Sequence, residues 1–198
     1  MNRVGMLGCG VLLVLAVGAA VVVGGGYNSL VTGEESVKAA WSQVENVYQR
    51  RADLIPNLVA TVKGVANFEK ETYTAVTEAR AKVGQIRVTP EMLSDPTSFA
   101  QFQRAQGELG SALSRLLVVA ENYPQLKANQ NFLDLQSQLE GTENRIAVER
   151  RRYNETAQAY NTMLRRFPRN ITARLFGFKE KAYFEAAQGA EKAPEVKF

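Results

Sequence analysis

Hydrophobic positions along this chain fall into three successive patterns. From Val4 to Gly26 there is no charge and almost no polar side chain. A run of about 20 apolar residues matches a hydrocarbon core of about 30 Å. Its backbone can satisfy its polar groups in lipid only as a helix. Gly24-Gly25-Gly26 is expected to loosen the chain, and Tyr27 suits the interfacial aromatic belt.

The second pattern steps by threes and fours. Thr32-Gly33-Glu34-Glu35 reads as a capping box with Thr32 at the N-cap. Val37, Trp41, Val44, Tyr48, Ile55, Leu58, Val62 and Val65 then form a nearly heptad seam, interrupted at Arg51. Pro56 predicts a kink near Leu54–Pro56. The helix is expected to resume to about Val83, with Gly84 as its stop. Gln85 to Ser94 is a connection. Asp95-Pro96 opens a second helix carrying Phe99, Phe102, Leu109, Leu113, Leu116 and Ala120. It ends before Pro124, because the residue ahead of a proline avoids helical angles.

The third pattern is strictly sevenfold. From a start near Lys127 or Asn129, Phe132, Leu139, Ile146, Tyr153, Tyr160 and Phe167 recur every seven residues. Leu135, Ala157 and Leu164 flank them, and Pro168 stops the helix. Such spacing predicts left-handed, coiled-coil-like packing. A short helix over Asn170 to Phe176 follows, then an aromatic segment to Phe184. No strand pattern of useful length is present. The predicted fold is all-α: a transmembrane helix, then an elongated antiparallel helical bundle with a short C-terminal helical element. The expected division is an N-terminal stub and anchor over 1–26, the bundle over 27–184, and a mobile tail over 185–198.

Composition narrows the chemistry. Histidine is absent and Cys9 is the single cysteine. That removes a Ser-His-Asp triad, His-ligated zinc or haem, a CxxC pair and an internal disulfide. No nucleophile motif or Gly-rich phosphate loop is present, so the expectation is a non-enzyme with no cofactor and no metal. Net charge is +4 and spread along the chain, and no nucleic-acid-binding motif accompanies it.

The apolar N-terminus admits three readings. A signal peptide needs a cleavage site after a shorter run. Leu7-Gly8-Cys9 resembles a lipidation box, but most of the apolar run follows Cys9. An uncleaved single-pass anchor through residues 4–23 fits best. Arg3 before it and Glu34 and Glu35 after it place the N-terminus in the cytoplasm and the bundle outside. Ala16, Ala20 and Gly24 form a small-xxx-small line, which chance accounts for in so Gly- and Ala-rich a stretch.

Several segments carry a family likeness: Tyr27-Asn-Ser-Leu-Val31, Ala40-Trp-Ser-Gln-Val44 through Ile55-Pro-Asn-Leu-Val59, Glu140-Gly-Thr-Glu-Asn-Arg-Ile146, Arg152-Tyr-Asn154, Ala159-Tyr-Asn161, Phe167-Pro-Arg-Asn170 and Phe176-Gly-Phe-Lys through Phe184-Glu185. Over nearly its whole length the chain resembles the bacterial LemA family. The resemblance implies one N-terminal anchor, a helical-bundle domain and no assigned catalytic activity. Relatives in the magnetosome membrane-formation set imply a part in membrane organisation.

Two groups of residues stand out as candidate interaction sites. Arg51 occupies a seam position, where an unpaired charge costs several kcal/mol. Glu143 and Glu149 are its candidate partners. The group reads either as an ion pair fixing helix register or as a polar groove for an envelope peptide or glycan. Asp53 with Glu143 is a weaker candidate for acid–base work or a divalent ion. The second group is aromatic and basic: Arg174, Leu175, Phe176, Phe178, Tyr183 and Phe184. It reads as a cap on the bundle end, or as a contact for another protomer, a partner protein or anionic lipid. Two functions follow. One is an anchored cell-envelope scaffold that self-associates and organises membrane or partner proteins. The other is a monomeric binding module using the polar groove.

Overall fold

Helix formation runs further at the N-terminus, and stops sooner after it, than the sequence pattern predicts. The computed structural model describes residues 3–65 and 67–185, with side chains from residue 12 onward. The expectations for Cys9 and for the tail beyond Glu185 lie outside that range. Helix α1 spans Arg3–Lys63, 61 residues or about 92 Å. It passes through Gly24-Gly25-Gly26 without interruption. Each glycine costs about 1 kcal/mol relative to alanine in a helix. Tertiary contact offsets this, because α1 already packs against the C-terminal region at Gly26 and Leu30.

The capping box is not used. The Thr32 hydroxyl donates to the Asn28 carbonyl at 2.9 Å, one turn back in an established helix. Pro56 also lies inside α1 and the helix continues to Lys63. A proline there deprives the carbonyl four residues earlier of its amide donor. That carbonyl belongs to Ala52, and Arg80 Nε donates to it at 3.1 Å.

The expected continuation to Val83 is replaced by a turn. After Gly64 and Val65 the chain passes through Asn67 with φ 63°, a left-handed conformation that asparagine tolerates. The Asn67 carbonyl accepts from Tyr123 Oη at 2.9 Å. Helix α2 (Lys70–Gln85) then runs back along the bundle. Its line is continued by an irregular stretch and a 3₁₀ turn at Pro90–Ser94.

Helix α3 (Pro96–Ala120) begins as the sequence predicts. Asp95 caps it, accepting from Thr97 N at 3.0 Å and from the Ser98 hydroxyl at 2.5 Å, and these bonds hold its carboxyl below the usual range. All six of its expected apolar positions are buried. After the short α4 (Pro124–Lys127), Asn129 caps α5 (Gln130–Arg165) through Phe132 N at 3.1 Å. The sevenfold series is buried from Phe132 to Tyr160. Phe167 departs from it: α5 ends at Arg165, and Phe167 is 79% exposed beyond its end. Helix α6 (Arg169–Phe176) follows, closed by Gly177 at φ 74°.

The result is an up-down-up-down bundle of α1, α2, α3 and α5, and no strand occurs among the described residues. Its interior divides into two apolar cores. The proximal core, on the side of the apolar N-terminal stretch, gathers Trp41, Tyr48, Phe99, Phe102, Tyr153 and Phe184. The distal core is built from Ile55, Leu58, Val62, Leu109, Leu113, Leu116, Phe132 and Leu139.

Candidate functional site

Arg51 lies between the two cores. On α1 it stands between Tyr48, which belongs to the proximal core, and Ile55, which belongs to the distal one. Gln106 stands between Phe102 and Leu109 on α3, and Glu143 between Leu139 and Ile146 on α5. A polar layer therefore crosses three helices at one level. Arg51 is 3% exposed. Its Nη1 donates to Glu143 Oε1 at 2.7 Å, and its Nη2 to both the side-chain and main-chain oxygens of Gln106. The guanidinium also lies 5.2 Å from the centroid of the Tyr48 ring. Burial pushes the Tyr48 hydroxyl pKa up, against the opposing pull of Arg150 and Arg51.

This layer faces an open cleft of about 790 Å³ whose lining includes Gln103, Arg104, Gly107, Gly110 and Arg150. Glycines at 107 and 110 thin the α3 wall. A Cβ on Gly110 would lie 3.7 Å from Arg51 Nη1, and one on Gly107 would meet open space. Arg51 Nε is buried and has no hydrogen-bond partner. The other carboxylates go elsewhere. Glu149 pairs with Arg152 at 2.9 Å, and Asp53 accepts from Gln49 at 2.7 Å on the exposed side of α1. No group of three potential metal ligands forms among the described residues.

The aromatic-basic group divides in two. Phe184 is buried, stacked on Trp41 at 5.9 Å and close to Phe99 and Tyr153. Phe178 is half-buried against Tyr27 at 5.7 Å. The Tyr183 hydroxyl accepts from Asn161 at 2.8 Å. These three belong to a strap, residues 178–185, that climbs back along α5. Arg174, Leu175 and Phe176 stay on the surface of α6.

The strap is held by residues that composition and periodicity did not single out. The Asn161 amide donates to the Lys181 carbonyl and accepts from the Lys181 amide, both at 2.8 Å. Asn154 does the same for Phe184, at 2.9 Å in each direction. Each side chain imitates one rung of a strand ladder. The repeat Tyr153-Asn154 and Tyr160-Asn161, seven residues apart, is the signal that could have revealed it. Lys181 reads from sequence as one of the basic residues of the C-terminal segment, and the structure buries it. Its ammonium donates to Glu34 at 2.7 Å and to Ser94 at 2.9 Å. Burial pushes the Tyr153 and Tyr160 hydroxyls well above their ordinary pKa, so both stay neutral.

This geometry offers ion pairing, register and a cleft wall of mixed charge. Comparison with known proteins places it in a family. A model described as LemA family matches residues 40–198. Magnetosome protein MamQ 2 of Paramagnetospirillum magneticum is 31% identical over 175 residues, covering 80% of this chain and 64% of the relative. Magnetosome protein MamQ of Magnetospirillum gryphiswaldense is 29% identical over 174 residues, with the same coverage. Protein LemA of Metamycoplasma hominis is 26% identical over 161 residues, covering 81% of this chain and 69% of the relative. The chain thus spans 64% of the length of the MamQ relatives. None of these names is that of an enzyme. With the match taking in the distal core, most of the proximal core, the polar layer and the strap, the chain belongs to the LemA family.

Proposed function

We propose that this protein is a non-enzymatic, membrane-anchored scaffold of the cell envelope that self-associates and organises membrane or partner proteins. One observation carries the reading: α1 is continuous from the apolar stretch into both cores. Its N-terminal part is apolar and long enough to cross a bilayer, and residues 12–22 are exposed. A bundle joined to its anchor by an unbroken helix is held at a fixed height above the span, as a scaffold requires. The magnetosome names of two relatives support a membrane setting. Arg3 before the span and Glu34 and Glu35 after it favour a cytoplasmic N-terminus and an external bundle.

The test is the mass of the full-length protein in native-lipid nanodiscs by mass photometry. The expected result is a discrete oligomer, and a clean monomer would overturn self-association. A second reading, a monomeric binding module for an envelope peptide or glycan, is favoured by the open cleft beside the polar layer. It predicts a ligand-dependent rise in Tm that disappears in Arg104→Ala.

A further inference from the structure

Helix α6 has a level along the anchor axis that can be read from its contacts. Gly33 on α1 meets the Tyr160 ring of α5, whereas Gly26 meets Thr172 of α6. Seven residues separate the two glycines, so α6 sits about 10 Å nearer the span than Tyr160 does. A Cβ on Gly26 would lie 2.8 Å from the Thr172 hydroxyl oxygen, so α6 packs directly on the α1 backbone. Tyr27 and Phe176 rings meet at 4.9 Å. Tyr27 follows the last residue of the apolar run, Val23, by four positions, or about 6 Å. The headgroup layer on each side of the hydrocarbon core is roughly 5–8 Å deep. Contacts within this chain thus bring α6 to the level of that layer.

The surface of α6 suits that level. Phe167, Ile171, Leu175 and Phe176 are all more than half exposed. Between Arg165 and Lys181 there are six basic residues and one acidic residue, Glu180. Arg165 takes up that carboxylate through two bonds of 2.7 Å. Arg166 and Arg174 are exposed and have no carboxylate partner among the described residues. A short helix with apolar and cationic side chains is the composition of an interfacial helix on anionic lipid.

We propose that α6 and Phe167 form a second membrane contact, a collar lying in the headgroup region of an anionic bilayer around the exit of α1. The inference rests on the anchor reading above, because the apolar span fixes the height at which α6 meets lipid. A collar would set the tilt of the bundle, which one crossing helix leaves free.

The experiment uses the full chain with Cys9→Ala and one nitroxide-labelled cysteine, reconstituted in phosphatidylcholine nanodiscs with or without phosphatidylglycerol. Labels go at Leu175→Cys, at Val14→Cys in the span, and at Leu133→Cys near the far end of α5. Collision with oxygen reports lipid, and collision with a water-soluble nickel chelate reports water. The expected oxygen-to-nickel ratio at Leu175→Cys is several-fold above that at Leu133→Cys. It rises further with phosphatidylglycerol, and Arg166→Ala with Arg174→Ala removes that rise. A Leu175→Cys label as open to nickel as Leu133→Cys, with Val14→Cys still in lipid, overturns the collar and leaves the anchor standing. Protection from both reagents marks a protein contact and also overturns it. A water-exposed Val14→Cys overturns the anchor, and the collar with it.

Discussion

The two cores are similar in size and unlike in construction. In the proximal core seven of sixteen buried side chains are aromatic, and in the distal core two of fourteen. Trp41 alone meets Phe99, Phe102, Tyr153 and Phe184 with ring centroids 5.4–5.9 Å apart. Aromatic pairs contribute about 0.5–1.5 kcal/mol each beyond burial, and only in particular geometries. The proximal core is also tied by the strap, through Asn154, Asn161 and the buried Lys181. The distal core has aliphatic packing and no such strap. Its helix ends are joined by short turns. The difference teaches that the half next to the apolar N-terminal stretch is specified by geometry, and the far half by volume.

The largest expected effect attacks that specification. Trp41→Ala removes the centre of the ring cluster and should cost about 3–5 kcal/mol. Hydrogen exchange will show whether the loss is local. If the polar layer separates two cooperative units, amides near Tyr153 and Tyr160 should exchange faster while those near Leu113 keep their protection. Uniform acceleration would mean the cores open together and would remove the distinction.

Next comes the layer itself. Arg51→Ala leaves the Gln106 side chain and Glu143 without their donor and strips the packing of the arginine stem. Glu143 is 46% exposed and can rehydrate, so the expected loss is about 2–3 kcal/mol, below that of a fully buried pair. Replacing Arg51, Gln106 and Glu143 together by Met, Leu and Leu should recover most of that loss in a urea melt. If the layer sets helix register, the triple variant should be stable but show broadened amide resonances. Sharp, native-like spectra would assign register to the cores alone.

Much of this architecture was legible in the sequence. The sevenfold series of α5 as far as Tyr160, the apolar face of α3 and the cap at Asp95 are local signals, and they form as they read. Two kinds of feature were hidden. The continuity of α1 through three glycines depends on partners 140 or so residues away in the chain, such as Thr172, and the break at Gly64 depends on Asn67 and Tyr123. The strap has no periodicity, because its backbone bonds are made mostly by side chains of other elements, among them Asn154, Asn161 and Gln103. Of the candidate site residues, Arg51 was visible as a charge in an apolar seam. Gln106, a neutral amide among other amides on α3, carried no comparable mark. Phe178 and Phe184 read like Phe176 in composition, and only the turn at Gly177 separates core from surface.

The strap can be tested one bond at a time. Asn161→Ala removes both main-chain bonds to Lys181 and the bond to Tyr183, for an expected loss of about 1–3 kcal/mol. Faster exchange confined to the amides of 178–185 would show that the strap detaches before the proximal core opens. Arg80→Ala should cost less, about 0.5–1.5 kcal/mol, because it leaves only the Ala52 carbonyl without its donor. In a Pro56→Ala background that cost should shrink further, since the restored amide supplies the missing bond.

The smallest effect lies at the foot of the strap and depends on pH. The hydrogen bonds from Arg165 hold the Glu180 carboxyl below the usual carboxylate range. A lowered folded-state pKa stabilises the fold above the unfolded-state value. That contribution is lost as pH falls through the folded-state value. The native protein should therefore have a higher denaturant midpoint than Glu180→Gln near neutral pH, with the gap closing in acid. Both side chains are more than half exposed, so salt should screen the gap. A gap unchanged from neutral to acid pH would mean that Glu180 holds the strap by shape and neutral hydrogen bonding. The proximal half would then owe its tie to the Asn154, Asn161 and Gln103 amides, the buried Lys181 and Arg150, with no contribution from the Arg165–Glu180 pair.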